Sequence, residues 1–574
     1  MPSRRVYLET FGCQMNELDS ELVGGQLRAL GYTFTPERDL ADVVLYNTCS
    51  VREHAEQKVW SRLGEDRLRK LERPSLVVGV LGCMAERDGT DLIRRMPVVD
   101  ILCGPGELDK LPALLDNAVR TRESIAAEAD PQPLDPGNLQ PRMTSAGAMA
   151  LQGNTSRRSG TLAAAADNLE MLDLARSVSP DDHSGSAYVR ITRGCNKFCT
   201  YCVVPFTRGA EVHRPPQHIV DECRRLADSG VLEITLLGQT VNHYRFEHGA
   251  AVSVGGVVQP QKGRSYSGGH SRDPFAGEST TTFADLLALI HEKVPEIERL
   301  RFVTSYPRDF GDDVLEVIRD HPRICRYLHV PAQSGSDRIL EKMNRGYTAD
   351  EYLEFLDRAR SHLHQPEIGR PLTIAGDFIV GFPTETDEDF AATVRLLERA
   401  RYKNAFIFKY SPRPGTIAYD KLADDVSEDV KRARNTELLA AQQRVSASVS
   451  AEFVGRTLDV FVRGLSKRET KRSSPPTAEG HGGQSGVSLT VGGRSLDGGE
   501  AVSACSTHGS HVLAEVRSAA ANDRSPIQLT SRTDGDIIVL FDAPAGSSPD
   551  DLIGRILPVT IDRADALALH GRLA

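Results

Sequence analysis

The chain has 574 residues, 40% hydrophobic and 26% charged, with a formal net charge of −10. This is a globular composition too long for one ordinary domain, and it implies about two to four of them. It argues against a membrane-spanning chain, with no run of about eighteen apolar residues. Ten cysteines are too few for a disulfide-stapled scaffold, and the net charge argues against bulk coating of nucleic acid, though a local basic groove stays open.

"MPSRR" is too short for a targeting segment, so a cytoplasmic location is expected. Strand-like runs follow at 6–12, 42–48, 75–82 and 99–104, with helical periods between them. That alternation predicts a doubly wound parallel α/β domain over 1–120. Three of its strands run into cysteine, in "TFGC", "YNTC" and "VLGC", at Cys13, Cys49 and Cys83. Neighbouring parallel strands lie about 4.8 Å apart, so thiolates leaving their ends converge above the sheet. Cys103, Cys223, Cys325 and Cys505 lack partner spacing and read as buried small residues.

Residues 121–184 are rich in Ala, Ser, Gly and Pro and read as a flexible linker, with room for a weak helix at 161–177. The alternation resumes over 185–448. Strands are expected at 187–192, 232–239, 299–305, 327–333, 373–382 and 405–411, with helices at 216–228, 283–293, 312–320, 335–343, 350–363 and 386–400. Six such units in series predict a parallel partial barrel with its chemistry at the carboxyl ends of the strands. Residues 248–281 read as an inserted surface loop. Residues 449–574 read as a small β domain interrupted by a Gly/Ser/Pro-rich insertion at 469–526.

"RGCNKFCTYCVVPFTRG" follows the first barrel strand and carries Cys195, Cys199 and Cys202 as C-x3-C-x2-C. Three thiolates hold three irons of a [4Fe–4S] cluster and leave one iron open for reaction. The competing reading is a zinc knuckle, for which no fourth ligand lies nearby. With the strand-end set, the residues suggest two [4Fe–4S] clusters facing one cavity. A non-catalytic protein holding zinc at both sets and binding RNA is the alternative from another class.

The C-x3-C-x2-C loop after a barrel's first strand resembles the radical S-adenosylmethionine enzymes over about 186–410. The whole chain, apart from its three low-complexity insertions, resembles the methylthiotransferases of that class. "ETFGCQMN", "NTCSVREHAEQKV", "LGCMAER", "HVPAQSGSDRIL", "MNRGYT" and "DFIVGFPTETDEDF" resemble the tRNA branch acting on N6-isopentenyladenosine. Gln14-Met15-Asn16 separates it from the branches acting on threonylcarbamoyladenosine and on a ribosomal-protein aspartate, which are the alternatives.

The resemblance implies methylthiolation of C2 of N6-dimethylallyladenosine at tRNA position 37. It implies two [4Fe–4S] clusters held by the six cysteines, and S-adenosylmethionine as cofactor. It also implies a C-terminal RNA-binding β-barrel known as TRAM. The expected partners are the tRNA anticodon loop and a reducing electron-donor protein, with no membrane and a monomeric state. Gln239 and Asn242, after the second barrel strand, are candidate contacts to the amino group of S-adenosylmethionine. Gly381 and Pro383 are candidates for its adenine pocket. Arg208, Arg214 and Arg345 are possible anion contacts, with solvated side chains as the default, and His213 and His329 read as structural or surface residues. No catalytic residue is expected beyond the clusters.

Overall fold

The computed structural model describes residues 4–50, 53–128, 145–152, 169–176, 185–248, 253–254, 257–258, 280–473, 489–491, 494–496 and 526–574. The N-terminal strands are β1 (Arg5–Phe11), β2 (Thr33–Phe34), β3 (Val43–Thr48), β4 (Val77–Gly82), β5 (Ile101–Cys103) and β6 (Ala148–Ala150). All pair in parallel, in the spatial order 2-1-3-4-5-6. Helices α1 (Gln14–Ala29), α2 (Glu53–Glu72), α3 (Cys83–Asp88), α4 (Thr90–Arg95) and α5 (Leu111–Glu128) connect them.

Two-residue periodicity sorts the strand side chains onto two faces. Val43 and Leu45 pack in one layer with Leu18 and Leu22 of α1 and Leu111 and Leu115 of α5. Val44 and Tyr46 pack in the other with Val59 and Leu63 of α2. The strand order reverses between β1 and β3, which opens a crevice at their carboxyl ends.

The flexible-linker expectation for 121–184 needs correction at its described positions. Helix α5 continues to Glu128, β6 extends the sheet, and 169–174 is helical. Leu169 and Leu172 are buried in the first-domain core, while Asp173 and Arg176 are buried in ion pairs. Average composition hid these short runs, whose partners lie far away in sequence. The rest of that stretch lies outside the described residues.

The second unit carries six parallel strands in chain order: β7 (Ser186–Arg190), β8 (Glu233–Leu237), β9 (Arg299–Phe302), β10 (Tyr327–His329), β11 (Thr373–Val380) and β12 (Asn404–Lys409). They form two three-stranded ladders, β7–β8–β9 and β10–β11–β12, which meet at a parallel bridge between Leu300 and Ile324. The result is an open partial barrel. Between the strands run α6 (Pro216–Asp228), α7 (Phe283–Lys293), α8 (Asp312–Asp320), α9 (Asp337–Lys342), α10 (Ala349–Leu363) and α11 (Asp387–Ala400). Thr282, Thr348 and Thr386 start α7, α10 and α11 with capping boxes, which satisfy first-turn N–H groups and fix where each helix begins.

A 24-residue helix, α12 (Glu428–Ala451), was not anticipated. It lies along β12, where Asn435 Nδ2 donates to the Ile407 carbonyl at 3.2 Å. Of the insertion at 248–281, an antiparallel ladder of Arg245–Glu247 with Thr280–Thr282 closes the base, and Ser253–Val254 pairs with Val257–Val258.

The C-terminal unit is a closed five-stranded barrel of β13 (Thr457–Leu465), β14 (Gln528–Thr533), β15 (Ile538–Asp542), β16 (Ile556–Ala564) and β17 (Ala568–Leu573), in the order 13-14-15-17-16. Within 469–526 the described residues are the end of a helix, Lys467–Ser473, and a hairpin of Leu489–Val491 with Arg494–Leu496. Cys505 lies outside them.

The small barrel docks on the amino ends of the large barrel's strands. Arg299, the first residue of β9, donates to the Arg532 and Asp459 carbonyls at 2.9 and 2.6 Å. Thr373, the first of β11, donates to the Gly535 carbonyl at 2.7 Å. Glu233, the first of β8, is fully buried against Arg301 (2.6 Å) and Arg463 (3.1 Å).

Candidate active site

Cys49 and Cys83 stand directly after β3 and β4, and Cys13 stands two residues past the adjacent β1. Cys13 is the N-cap of α1 and Cys83 the first residue of α3, so two of the three thiols sit at helix starts. Asn16 and Asn47 brace this end of the sheet. Asn16 Oδ1 accepts from the Cys13 thiol at 3.4 Å, and Asn16 Nδ2 donates to Asn47 Oδ1 at 3.0 Å. Asn47 Nδ2 donates in turn to the Asn16 carbonyl and to Ser20 Oγ, each at 2.9 Å.

The Cys49 thiol hydrogen-bonds to Cys13, and with Arg208 nearby this outweighs burial and pulls Cys13 down to about 5. Burial pushes Cys83 up, tempered by Arg208 and a hydrogen bond from Thr207. Thr207 and Arg208 both belong to the cysteine loop of the second unit. The two cysteine sets therefore approach each other across residues 202–208.

In that loop Cys195 and Cys199 are buried and Cys202 is half-buried. The Lys197 N–H points to Cys195 Sγ at 3.5 Å, and Arg345 Nη1 donates to Cys199 Sγ at 3.3 Å. Thr240 Oγ1, from the end of β8, lies 3.8 Å from Cys195 Sγ. Burial, then the Glu211 carboxylate, pushes Cys195 up to about 12. Burial also raises Cys202, with the Cys199 and Cys195 thiols adding to it. These three sulfurs share one local field. All nine described cysteines are free thiols.

An arrangement of buried, unbridged thiols with N–H and guanidinium donors aimed at sulfur fits a site for a negatively charged iron–sulfur cluster. Cys103, by contrast, donates to the Glu107 carbonyl at 3.2 Å from the buried end of β5.

Arg208 is held by Asp19 of α1 at 2.8 Å, and Asp19 also accepts from Arg190 of β7 at 2.9 Å. The chain of charge continues from Arg190 to Asp173 at 2.6 Å, with Arg193 on the same carboxylate. Arg214 pairs with Glu170 at 2.8 Å and Glu222 at 2.7 Å, and Arg176 bridges Glu222 (3.1 Å) to Glu21 (2.5 Å). Burial opposes ionisation of Asp173, but Arg190, Arg193 and Arg214 hold its carboxyl well below the usual range. This buried network joins the two units beside the cysteines. On the other flank, Glu56 of α2 accepts from Arg413 at 2.8 Å.

Arg208, Arg214 and Arg345 are thus buried and paired, where solvated side chains were the default. Sequence alone missed this because most of their partners are distant along the chain: Asp19 for Arg208, Glu170 for Arg214, and the Cys199 thiol for Arg345. Arg345 also lies over the Tyr306 and Tyr347 rings, at 4.6 and 5.2 Å.

Among the other candidates, Gln239 is half-buried just past β8, with no hydrogen bond to another described residue. The Asn242 amide is largely spent elsewhere. It donates to the Tyr306 carbonyl and accepts from the Tyr306 N–H, both at 2.8 Å, clamping two barrel loops together. Gly381 follows β11 at φ +70°, its N–H on Glu385 Oε2 at 2.7 Å. A Cβ there would sit 2.3 Å from Lys431 Cγ, so close packing on α12 explains this glycine. Pro383 is buried in the same turn.

Residues 5–104 match the family described as Uncharacterized protein family UPF0004, and residues 189–397 match the Radical SAM superfamily. A protein of Rhodopirellula baltica named tRNA-2-methylthio-N(6)-dimethylallyladenosine synthase is 42% identical, covering 82% of this chain and 85% of its own. Proteins of the same name from Aeromonas hydrophila (39% identical; 81% and 82% covered) and Thermoanaerobacter pseudethanolicus (37%; 82% and 84%) agree. With both cysteine-bearing units and the small barrel in place, the chain belongs to the radical S-adenosylmethionine methylthiotransferase family.

Proposed function

We propose that the protein transfers a methylthio group to C2 of N6-dimethylallyladenosine at position 37 of tRNA, the reaction named for its relatives. The observation that carries this reading is that the loop bearing Cys195, Cys199 and Cys202 reaches the other cysteine set, with Thr207 hydrogen-bonded to Cys83 and Arg208 beside Cys13 and Cys83. Cys195, Cys199 and Cys202 would hold one [4Fe–4S] cluster, and Cys13, Cys49 and Cys83 the other. When bound, the first supplies the electron that cleaves S-adenosylmethionine, and the second an attachment point for the sulfur.

The chain's own residues supply position and exclusion of water. Burial keeps solvent from Cys195 and Cys199, and Arg345 places positive charge on Cys199. Asn242 fixes the loop after β8, which carries Gln239, against the loop after β9. The C2–H of adenine has no acidic proton, so acid–base side chains alone cannot open it.

In this reading the tRNA anticodon loop and a reducing electron-donor protein are the partners, and the enzyme works as a cytoplasmic monomer. Among the described residues no helix is long and apolar enough to cross a membrane. The test is nucleoside mass spectrometry of tRNA treated with anaerobically reconstituted enzyme. Conversion of isopentenylated but not unmodified tRNA is expected; conversion of threonylcarbamoyl-tRNA instead would overturn the substrate.

A further inference from the structure

Glu211, His213 and His243 form a cluster that the reaction above does not use. Glu211 and His213 lie on the return of the cysteine loop, where Val212–His213 pairs antiparallel with Thr192–Arg193. His243 ends the 3-10 turn Val241–His243 that follows β8. Two loops of the barrel mouth thus bring one carboxylate and two imidazoles together, with ligand atoms all within 4.8 Å of one another.

His243 Nδ1 and Glu211 Oε2 are 2.8 Å apart. The other carboxylate oxygen, Glu211 Oε1, and His213 Nδ1 are both buried with no hydrogen-bond partner, and Glu211 is only 2% exposed. A buried polar atom left without a partner is costly, so two in one cluster call for a ligand that satisfies both.

We propose that Glu211, His213 and His243 form a binding site for a divalent transition-metal ion, zinc by its donor set, separate from the two cysteine sets. Two imidazoles and a carboxylate with a fourth position open are a common three-ligand zinc set. Bonds of about 2.0–2.2 Å require the three ligand atoms to draw in by about an ångström, a movement within the reach of two loops.

The surroundings suit such an ion. Burial drives His213 down to about 4, against the pull of Glu211, so its imidazole is neutral and ready to ligate at physiological pH. Burial opposes ionisation of Glu211, but its hydrogen bond with His243 and the nearby Lys197 outweigh it. The remaining cation facing the cluster is Arg245. The Tyr244 ring meets His213 edge-on at 5.7 Å, and the two imidazoles are 6.1 Å apart, also edge-on.

The test uses anaerobically prepared holoenzyme with its iron complete. Zn2+ is titrated against a chromophoric chelator, with metals counted by mass spectrometry. One zinc per chain above the iron is expected, with affinity falling at least a hundredfold in the double variant H213A/H243A and in Glu211→Gln. Iron and labile sulfide should stay at the parent level, which also reports that each variant folds. Glu211→Gln keeps the shape of the site, so it decides the matter if the double variant does not fold. Failure of the parent to take up zinc, uptake of Fe2+ in its place, or unchanged zinc binding in Glu211→Gln would overturn the assignment.

Discussion

Gly82→Ala tests whether the sheet end holds the strand-end cysteines in place. Gly82 has φ +87° and ψ −156°, a region essentially closed to side chains at about 1–3 kcal/mol. An added Cβ would also meet Asn47 Oδ1 at 2.4 Å, the Thr48 carbonyl at 2.7 Å and Asn16 Nδ2 at 3.0 Å. Overpacking adds about 1–3 kcal/mol. The sum, about 2–6 kcal/mol, is a large share of the ~5–15 kcal/mol that holds an ordinary domain together.

The strain falls on the Asn16–Asn47 brace that positions Cys13. Iron should therefore drop from roughly eight to about four atoms per chain, with S-adenosylmethionine cleavage retained. Gly31 is the control. Its φ is also +87°, but a Cβ there meets nothing within 4 Å. Gly31→Ala should cost only the backbone strain, about 1–2 kcal/mol, and keep all its iron. The assay is iron and sulfide content with urea denaturation of both variants. Equal midpoints and equal iron for the two would refute the argument.

Cys199→Ala should abolish S-adenosylmethionine cleavage while leaving about half the iron; retained cleavage in a product assay would contradict the assignment of the loop cysteines. Burial alone would raise the Glu233 pKa, yet Arg301, Arg463 and Arg299 bring it from 4.5 to about 2. A lowered folded value means this carboxylate stabilises the fold fully above pH 4.5 and ceases to do so as pH falls toward 2. The difference corresponds to about 3 kcal/mol, so denaturation at pH 7 should show Glu233→Gln less stable by that order, with the gap closing in acid. Arg208→Gln removes the positive charge beside Cys13 and Cys83 and leaves Asp19 with Arg190 alone. A redox titration followed by electron paramagnetic resonance should then find the first-domain centre harder to reduce; an unmoved potential would place Arg208 outside its field.

Much of this was legible in the sequence because the signals were local. Strand periodicity put Cys13, Cys49 and Cys83 at strand ends, and helices α6, α7 and α8 have the bounds their periodicity indicates. What escaped depends on distance along the chain. Asp173 and Arg176 sit in a stretch whose average composition reads as linker, and their partners Arg190 and Glu21 give no local cue. The amide of Asn242 looks free in sequence because its partner is the backbone of Tyr306. His213 and His243 are separated by a helix and a strand, so only the fold shows that they meet. Helix α12 spreads its buried positions among charged ones, and its apolar period is weak.

The small barrel is bolted to the floor of the large one, while both cysteine sets open at the ceiling. The longest strand between them, the eight residues of β11, spans about 26 Å at the usual rise. If the proposed reaction has the small barrel grip its RNA, that RNA would have to be long enough to curl round the flank before presenting a base at the mouth. A trimmed stem-loop that reaches only one storey would then forfeit the grip of the other, and substrate length itself would act as a filter.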